Sequence, residues 1–263
     1  MEYEYREPLW VTNCHARDGA VQFFEDTHIY LVEGEQYTSA TSVLKTFFQE
    51  FCADKVIAKM RASKKPLKME YIGKSDEEIK QLWDDNGKRA SALGTLIHDS
   101  IEKLLNGMYI GFIEDTDVQF LWPTVMRQIY QMVKMWCPFR TEWRIFSQRY
   151  KIAGTIDAVF CTRDRNELVL VDWKCLKKLE RYNRFQKALA PLEKWSDCNF
   201  SKYTLQLNLY AFILEQEYHL KVSRMQLVCF MKETGNIEVV DVIRCPGTIQ
   251  KVLTAFEKET SMT

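Results

Sequence analysis

Two apolar runs, RYKIAGTIDAVF (149–160) and ELVLVDWKC (167–175), flank the polar turn Thr162-Arg163-Asp164-Arg165-Asn166, and Asp157, Asp172 and Lys174 lie inside them. Runs rich in β-branched and aromatic residues and bounded by turn residues read as a strand hairpin. A turn symmetric about 163–166 sets Asp157 opposite Asp172, and cross-strand neighbours have Cβ atoms about 5 Å apart. Like charges placed so are destabilising unless one is protonated or a cation lies between them, and a divalent metal is the natural resolution. The two-residue pleat sends Asp172 and Lys174 to one face and Trp173 to the other. A lone Asp-x-Lys is ordinarily an exposed ion pair on an edge strand. Here the flanks are apolar, and burying three charges is costly unless they coordinate or pair. The reading depends on register, because a one-residue slip turns one aspartate to the opposite face.

Before the hairpin the pattern is mixed. Residues 20–32 and 36–44 read as a strand pair broken at Glu33-Gly34-Glu35, leading into a helix near Thr41 to Ala62. Ser75 followed by Asp76, Glu77 and Glu78 resembles a capping box, and Asn106-Gly107 a stop. Between them Ala90, Leu93, Ile97, Ile101 and Leu104 recur at helical spacing, with an interruption expected at Asn86-Gly87. A second helix is expected over about 117–135, and TEWRIFSQ (141–148) reads as a strand. After the hairpin come a long basic connection, a helix over Lys202 to Tyr218, and strands over 223–232 and 236–244.

On the first long helix His98 and Glu102 share a face, four residues apart. Gly94 nearby leaves room for a backbone or a ligand to approach closely. A lone histidine on such a helix is more often structural than functional. In the later helix Gln206 and Tyr210 bear an amide and a phenol at the same spacing.

The 36 basic and 36 acidic residues balance, so net charge points to no polyanionic partner and only the distribution can. Residues 55–68 hold six cations and no acid, and 174–194 hold seven cations against two acids. Within the second stretch Lys177, Lys178 and Arg181 are candidates to track a nucleic-acid backbone, although a solvated basic loop has the same composition. The eight cysteines form no CxxC pair, which excludes a zinc finger or an iron–sulfur cluster signature and reads as reduced, mostly buried thiols of an intracellular protein. No secretion signal and no apolar run of about 20 residues, the length that spans a bilayer, is visible.

Taken in order, GTLIH, EWRI, IAGTIDAVF, VDWK and YTLQLNLY, spanning about 94–210, resemble the signatures of RecB-like PD-(D/E)XK nucleases, which include lambda-type and mitochondrial genome maintenance exonucleases. HIYLVEGEQYTSATSVL is similar to the N-terminal strand region of phage and viral members. The resemblance implies an α/β fold with a restriction-endonuclease-like core, a central mixed sheet flanked by helices, and an N-terminal strand–helix elaboration. It corresponds to one domain over 1–263, with its core at about 88–245 and the elaboration at 1–87. It further implies metal ligation by His98, Asp157, Asp172 and the main-chain carbonyl of Trp173, with one or two Mg²⁺ or Mn²⁺ ions. Lys174 would act on the attacking water and the scissile phosphate, Glu142 would be an acid near the metal, and Gln206 and Tyr210 would touch the phosphate backbone. The implied activity is a DNA nuclease, an exonuclease on single strands or free DNA ends in replication, repair or recombination. An RNA endonuclease of the same superfamily and a non-catalytic nucleic-acid-binding module remain open alternatives.

Overall fold

The computed structural model describes residues 7–64 and 66–260. Lys65 of the basic stretch 55–68 and the first six residues of the acidic, aromatic start lie outside the described residues. A short helix α1 (Leu9–Thr12) precedes three strands, β1 (Val21–Phe24), β2 (Ile29–Val32) and β3 (Glu35–Ser39). Residues 20–32 were expected to form one strand, and they instead fold back on themselves. His28 takes a left-handed φ of 54° in the turn Glu25-Asp26-Thr27-His28, and Val21↔Val32 to Phe24↔Ile29 pair antiparallel. The next turn uses left-handed Glu33 and Gly34, so β2 and β3 pair as well.

The single helix expected over Thr41 to Ala62 is two, α2 (Ala40–Lys45) and α3 (Ala53–Ala62). Between them Phe47 and Phe48 are buried in the main core, which pulls the chain out of helical register. The following helix α4 (Asp76–Leu105) starts at the expected capping box, with Ser75 Oγ accepting from the Glu78 amide and the Glu78 carboxylate accepting from the Ser75 amide. It ends at Asn106 and runs through Asn86-Gly87 without interruption. A single glycine costs a helix about 1 kcal/mol, too little to break one anchored by buried Ile79, Leu93, Ile97 and Ile101. Helix α5 (Thr116–Met135) then leads into β4 (Cys137–Ser147), β5 (Ile152–Cys161) and β6 (Leu168–Leu176). The long connection after β6 ends at α6 (Asn199–Glu217), followed by β7 (Val222–Met231), β8 (Ile237–Asp241) and a helix α7 (Pro246–Thr260) beyond the last expected strand.

The strands form a mixed sheet in the order β1-β2-β3-β5-β6-β7-β8, with β4 on the other edge of β5. β3 with β5 and β6 with β7 are parallel; the remaining pairs are antiparallel. Helices cover both faces, as the expected α/β class requires. Leu93, Ile97, Leu121 and Val125 of α4 and α5 pack on Ala158, Phe160, Val171 and Trp173. Ala40 and Val43 of α2, Leu205 and Leu209 of α6, and Ile249 and Leu253 of α7 pack on Ile145, Ile156, Leu170 and Leu227. That is why Leu168 to Val171 read as an unbroken apolar run: a strand buried on both faces has no solvent side to mark. Helix α6 was expected to alternate apolar and polar positions and is instead buried on nearly all sides. Its buried Asn208 accepts from the Cys245 amide and donates to the Thr204 and Ile243 carbonyls.

β4 pairs with β5 along its whole length, so β3 and β6 must share the opposite edge of β5. β3 takes Ile152 and Ala153, β6 takes Ala158 to Cys161, and 154–157 have no ladder partner there. Here the Tyr210 ring of α6 packs over Gly154, and a Cβ built at Gly154 would stand 2.6 Å from its Cε1. Glycine is required by that approach, since Tyr210 is itself buried. Gly154→Ala is expected to lower unfolding stability by about 1–3 kcal/mol, the usual cost of overpacking, measured as a fall in the urea midpoint.

Candidate active site

The site lies where β5 and β6 part. Their register runs Cys161↔Leu168, Phe160↔Val169, Val159↔Leu170 and Ala158↔Val171, which is the register the symmetric turn required. Asp157 and Asp172 come next, just past the last ladder pair. Ile156 packs in the α6-side layer and Ala158 in the α4-side layer, so the pleat reverses at Asp157. The Trp173 amide, which would otherwise lose its strand partner, donates to Asp157 Oδ2 at 2.9 Å. On the other edge, Thr141↔Ala158 and Trp143↔Ile156 bracket Glu142 opposite Asp157. Glu142 has a φ of 42°, a left-handed conformation inside a strand that costs a residue with a Cβ of order 1–3 kcal/mol. Three carboxylates, Glu142, Asp157 and Asp172, thus stand abreast on three neighbouring strands.

Two cations are set among them. The Lys174 ammonium lies 2.7 Å from Asp172 Oδ2 and 3.7 Å from Asp157 Oδ2, and it also donates to the Trp173 carbonyl at 3.1 Å. The cation between the two aspartates is therefore Lys174, which the pleat places beside Asp172. His98, from α4, points Nε2 at the Trp173 carbonyl (3.0 Å) and at Asp157 Oδ2 (3.8 Å), with Nδ1 3.8 Å from Glu142 Oε1. Nitrogen or oxygen atoms of His98, Glu142 and Asp157 lie within 4.8 Å of one another, a spacing that fits a metal ion. Asp172 is set behind this group, 2 % exposed, with Gln206 Nε2 3.3 Å from its Oδ1.

Burial opposes charge throughout. It pushes the Asp172 carboxyl up to about 6 even though the Lys174 charge pulls it down. It also pushes Glu142 up, partly offset by His98. Burial pulls Lys174 down, but the charges of Asp172 and Asp157 outweigh it and hold the ammonium above its ordinary range. It likewise pulls His98 down, and the Asp157 charge with the adjacent Glu142 carboxylate overcomes it, raising the imidazole to about 9.

Gln206 and Tyr210 are brought to the same place. Gln206 Nε2 is 3.3 Å from the Tyr210 hydroxyl, and burial holds that phenol well above its usual range. Tyr203, one turn before Gln206, was not singled out from the sequence. Its ring centroid lies 5.2 Å from the Lys174 ammonium. The spacing of Tyr203, Gln206 and Tyr210 on one helix was the available signal. A cleft of about 950 Å³ reaches the site between α4 and the β1–β2 hairpin, lined among others by Trp10, Tyr30, Thr95, His98, Glu102 and Glu142. Glu102 is raised by burial and then by the Glu142 charge.

The basic candidates of the connection are not drawn into this group. Lys177 pairs with Glu233 and Arg181 with Glu238, both exposed, and Lys178 lies beside them in the chain. In the other basic stretch, Arg61 pairs with Asp76 and Lys68 with Glu70. All eight cysteines are free thiols: Cys161, Cys198 and Cys229 are buried, Cys52, Cys137, Cys175 and Cys245 are partly so and Cys14 is exposed, so fewer are fully buried than expected. Among the described residues no helix is long and apolar enough to cross a membrane.

No protein-family profile and no curated protein sequence matches the chain. Solved structures of distant likeness include the following two. A candidate exonuclease from Eubacterium rectale has a TM-score of 0.44 and 14% identity over 86% of this chain and 79% of its own. The protein SSO0001 has a TM-score of 0.32 and 16% identity over 78% of this chain and 83% of its own. At such scores the likeness carries no functional argument, and the residues of the site must.

The raised His98 value has a defined consequence for the metal-free protein. Below pH 6.5 the imidazole is protonated folded or unfolded, and its ion pairs contribute fully. Between 6.5 and about 9 the unfolded chain releases that proton while the folded one keeps it, so stability falls as pH rises. In a chelator, thermal unfolding of the wild type is expected to show this decline, and His98→Ala to lack it.

Proposed function

We propose that the protein is a divalent-metal-dependent DNA nuclease with a restriction-endonuclease-like core, of the RecB-like PD-(D/E)XK kind that its motif order resembles. The observation that carries the reading is the set of three carboxylates abreast on β4, β5 and β6, joined by one imidazole from α4 and one partly buried ammonium.

The fit of a metal can be tested on charge. Glu142, Asp157 and Asp172 bring three potential negative charges to a largely dehydrated place, against one permanent cation, Lys174, and the proton that His98 holds. The close contact of Asp172 Oδ2 is the Lys174 ammonium, at 2.7 Å. The donor set of one nitrogen and carboxylate oxygens suits Mg²⁺ and, because of the imidazole, Mn²⁺. His98, Glu142 and Asp157 would hold the ion, with Asp172 and the Trp173 carbonyl adjoining. When bound, it supplies Lewis-acid polarisation of a phosphodiester and a more acidic water.

The remaining work falls to the chain itself. Lys174, kept charged by its two aspartates, presents a fixed ammonium to the charge that develops on the scissile phosphate and orients the attacking water. Tyr203 and Asp172 hold it in place. Gln206 ties Asp172 to Tyr210 and thereby fixes the β6 side of the site to α6, leaving amide and phenol near the phosphate backbone. His98 must give up its proton before it can ligate, so binding is coupled to proton release. Action from free ends is the finer part of the proposal.

Asp172 is a poor first target, because removing it takes away the closest ion-pair partner of Lys174 and disturbs the ammonium along with the carboxylate. Asp157→Asn and Lys174→Met are the sharper variants. Each is expected to cut Mn²⁺- or Mg²⁺-dependent cleavage of end-labelled DNA by about a hundredfold or more while remaining folded; wild-type rates in either would sink the proposal. Closed circular DNA is expected to resist, and rapid cutting of it would remove the free-end part. Mn²⁺ is expected to raise the melting temperature of the wild type and not that of Glu142→Gln, read by thermal unfolding.

A further inference from the structure

Gly94 lies well inside α4, where glycine is the least favourable residue short of proline because of the backbone freedom it must lose. Packing within the protein does not call for it, since a Cβ built at Gly94 meets nothing within 4 Å beyond the helix's own backbone. The space left open is a slot of about 300 Å³, whose lining includes Ser91, Gly94, His98, Lys174, Cys175 and Tyr203. His98 and Lys174 belong to the candidate centre, so the slot opens directly onto it. His98 and Thr95 also line the larger cleft, which therefore meets the slot from the other side of α4.

The two sides differ in charge. Five acids, Asp18, Glu25, Asp99, Glu102 and Glu142, line the larger cleft against two cations, Arg140 and Arg144, whereas no Asp or Glu is among the residues lining the slot, and its fixed charge is Lys174. A polyanionic strand is favoured on the slot side and repelled on the other. The slot has the volume of a small-ligand pocket, which suits one nucleoside and excludes a stacked base pair. Tyr203 supplies an aromatic surface there, and stacking on such a ring is indifferent to base identity.

We infer that the slot between Gly94 and Tyr203 receives one unpaired nucleotide of the strand being cut, next to the scissile phosphate. The inference rests on the nuclease reading for the identity of its ligand. Gly94 is the residue that keeps the slot open, and a base paired within a duplex must leave its stack to enter.

The test uses Gly94→Ala and Gly94→Leu, which touch neither a carboxylate nor Lys174. Both variants are expected to melt at or above the wild-type temperature, because each replaces a helical glycine. Binding of a fluorescein-labelled single-stranded oligodeoxynucleotide is measured with Ca²⁺ in place of Mn²⁺, and cleavage with Mn²⁺. Gly94→Leu is expected to weaken binding by roughly tenfold or more, the scale of one lost base stack, with Gly94→Ala intermediate. Cleavage should fall in parallel, and an abasic nucleotide beside the cut site should slow the wild type but not Gly94→Leu further. Wild-type affinity in Gly94→Leu overturns the slot, as does equal wild-type affinity for blunt duplex and single strand. Tight wild-type binding without Mn²⁺-dependent cutting overturns the nuclease reading instead, and the slot is then judged on Gly94→Leu binding alone.

Discussion

Where β5 and β6 separate, the Trp173 amide turns from its neighbouring strand to the carboxylate of Asp157, and much of the molecule's arrangement follows from that exchange. A backbone amide left unpaired in a core costs free energy comparable to a lost hydrogen bond, so the strands can part only where a side chain replaces the ladder. Asp157 provides the replacement and is thereby fixed in orientation. Over the same stretch of β5 the Tyr210 ring packs against Gly154, which ties α6 to the sheet.

The charges of the site depend on one another. Lys174 stays ionised through Asp172 and Asp157, and Asp172 tolerates almost complete burial through Lys174 and Gln206. Glu142 adds a third carboxylate at a backbone angle that strands avoid, a local cost borne by the long β4–β5 ladder on either side of it. Buried ion pairs of this sort are weak devices for stability, because desolvation offsets most of their attraction. Strain and dehydrated charge in one place fit a site shaped for chemistry better than one shaped for stability.

Helix α4 divides the approach to that site. Its apolar stripe, Leu93, Ile97 and Ile101, anchors it on the sheet, while His98 and Gly94 lie on faces that line open space. One helix thus carries core, imidazole and groove on separate sides, which its 3.6-residue period allows and a strand's period of two does not.

The hairpin, its register and the shared face of Asp172 and Lys174 were legible in the sequence, because a turn length and a two-residue pleat are local properties. The capping box and stop of α4 were legible for the same reason, and Gln206 and Tyr210 by their helical spacing. What the sequence could not decide was which carboxylates cluster. Tertiary structure sets Lys174 against both Asp157 and Asp172 and brings Glu142 and His98 to Asp157, because the pleat reverses at the fork and α4 approaches from that side. The fold-back of residues 20–32, the break between α2 and α3, and the role of Tyr203 likewise depended on what packs against them. Local chemistry determined the elements and the charged residues they carry; long-range packing alone determined which of those charges meet.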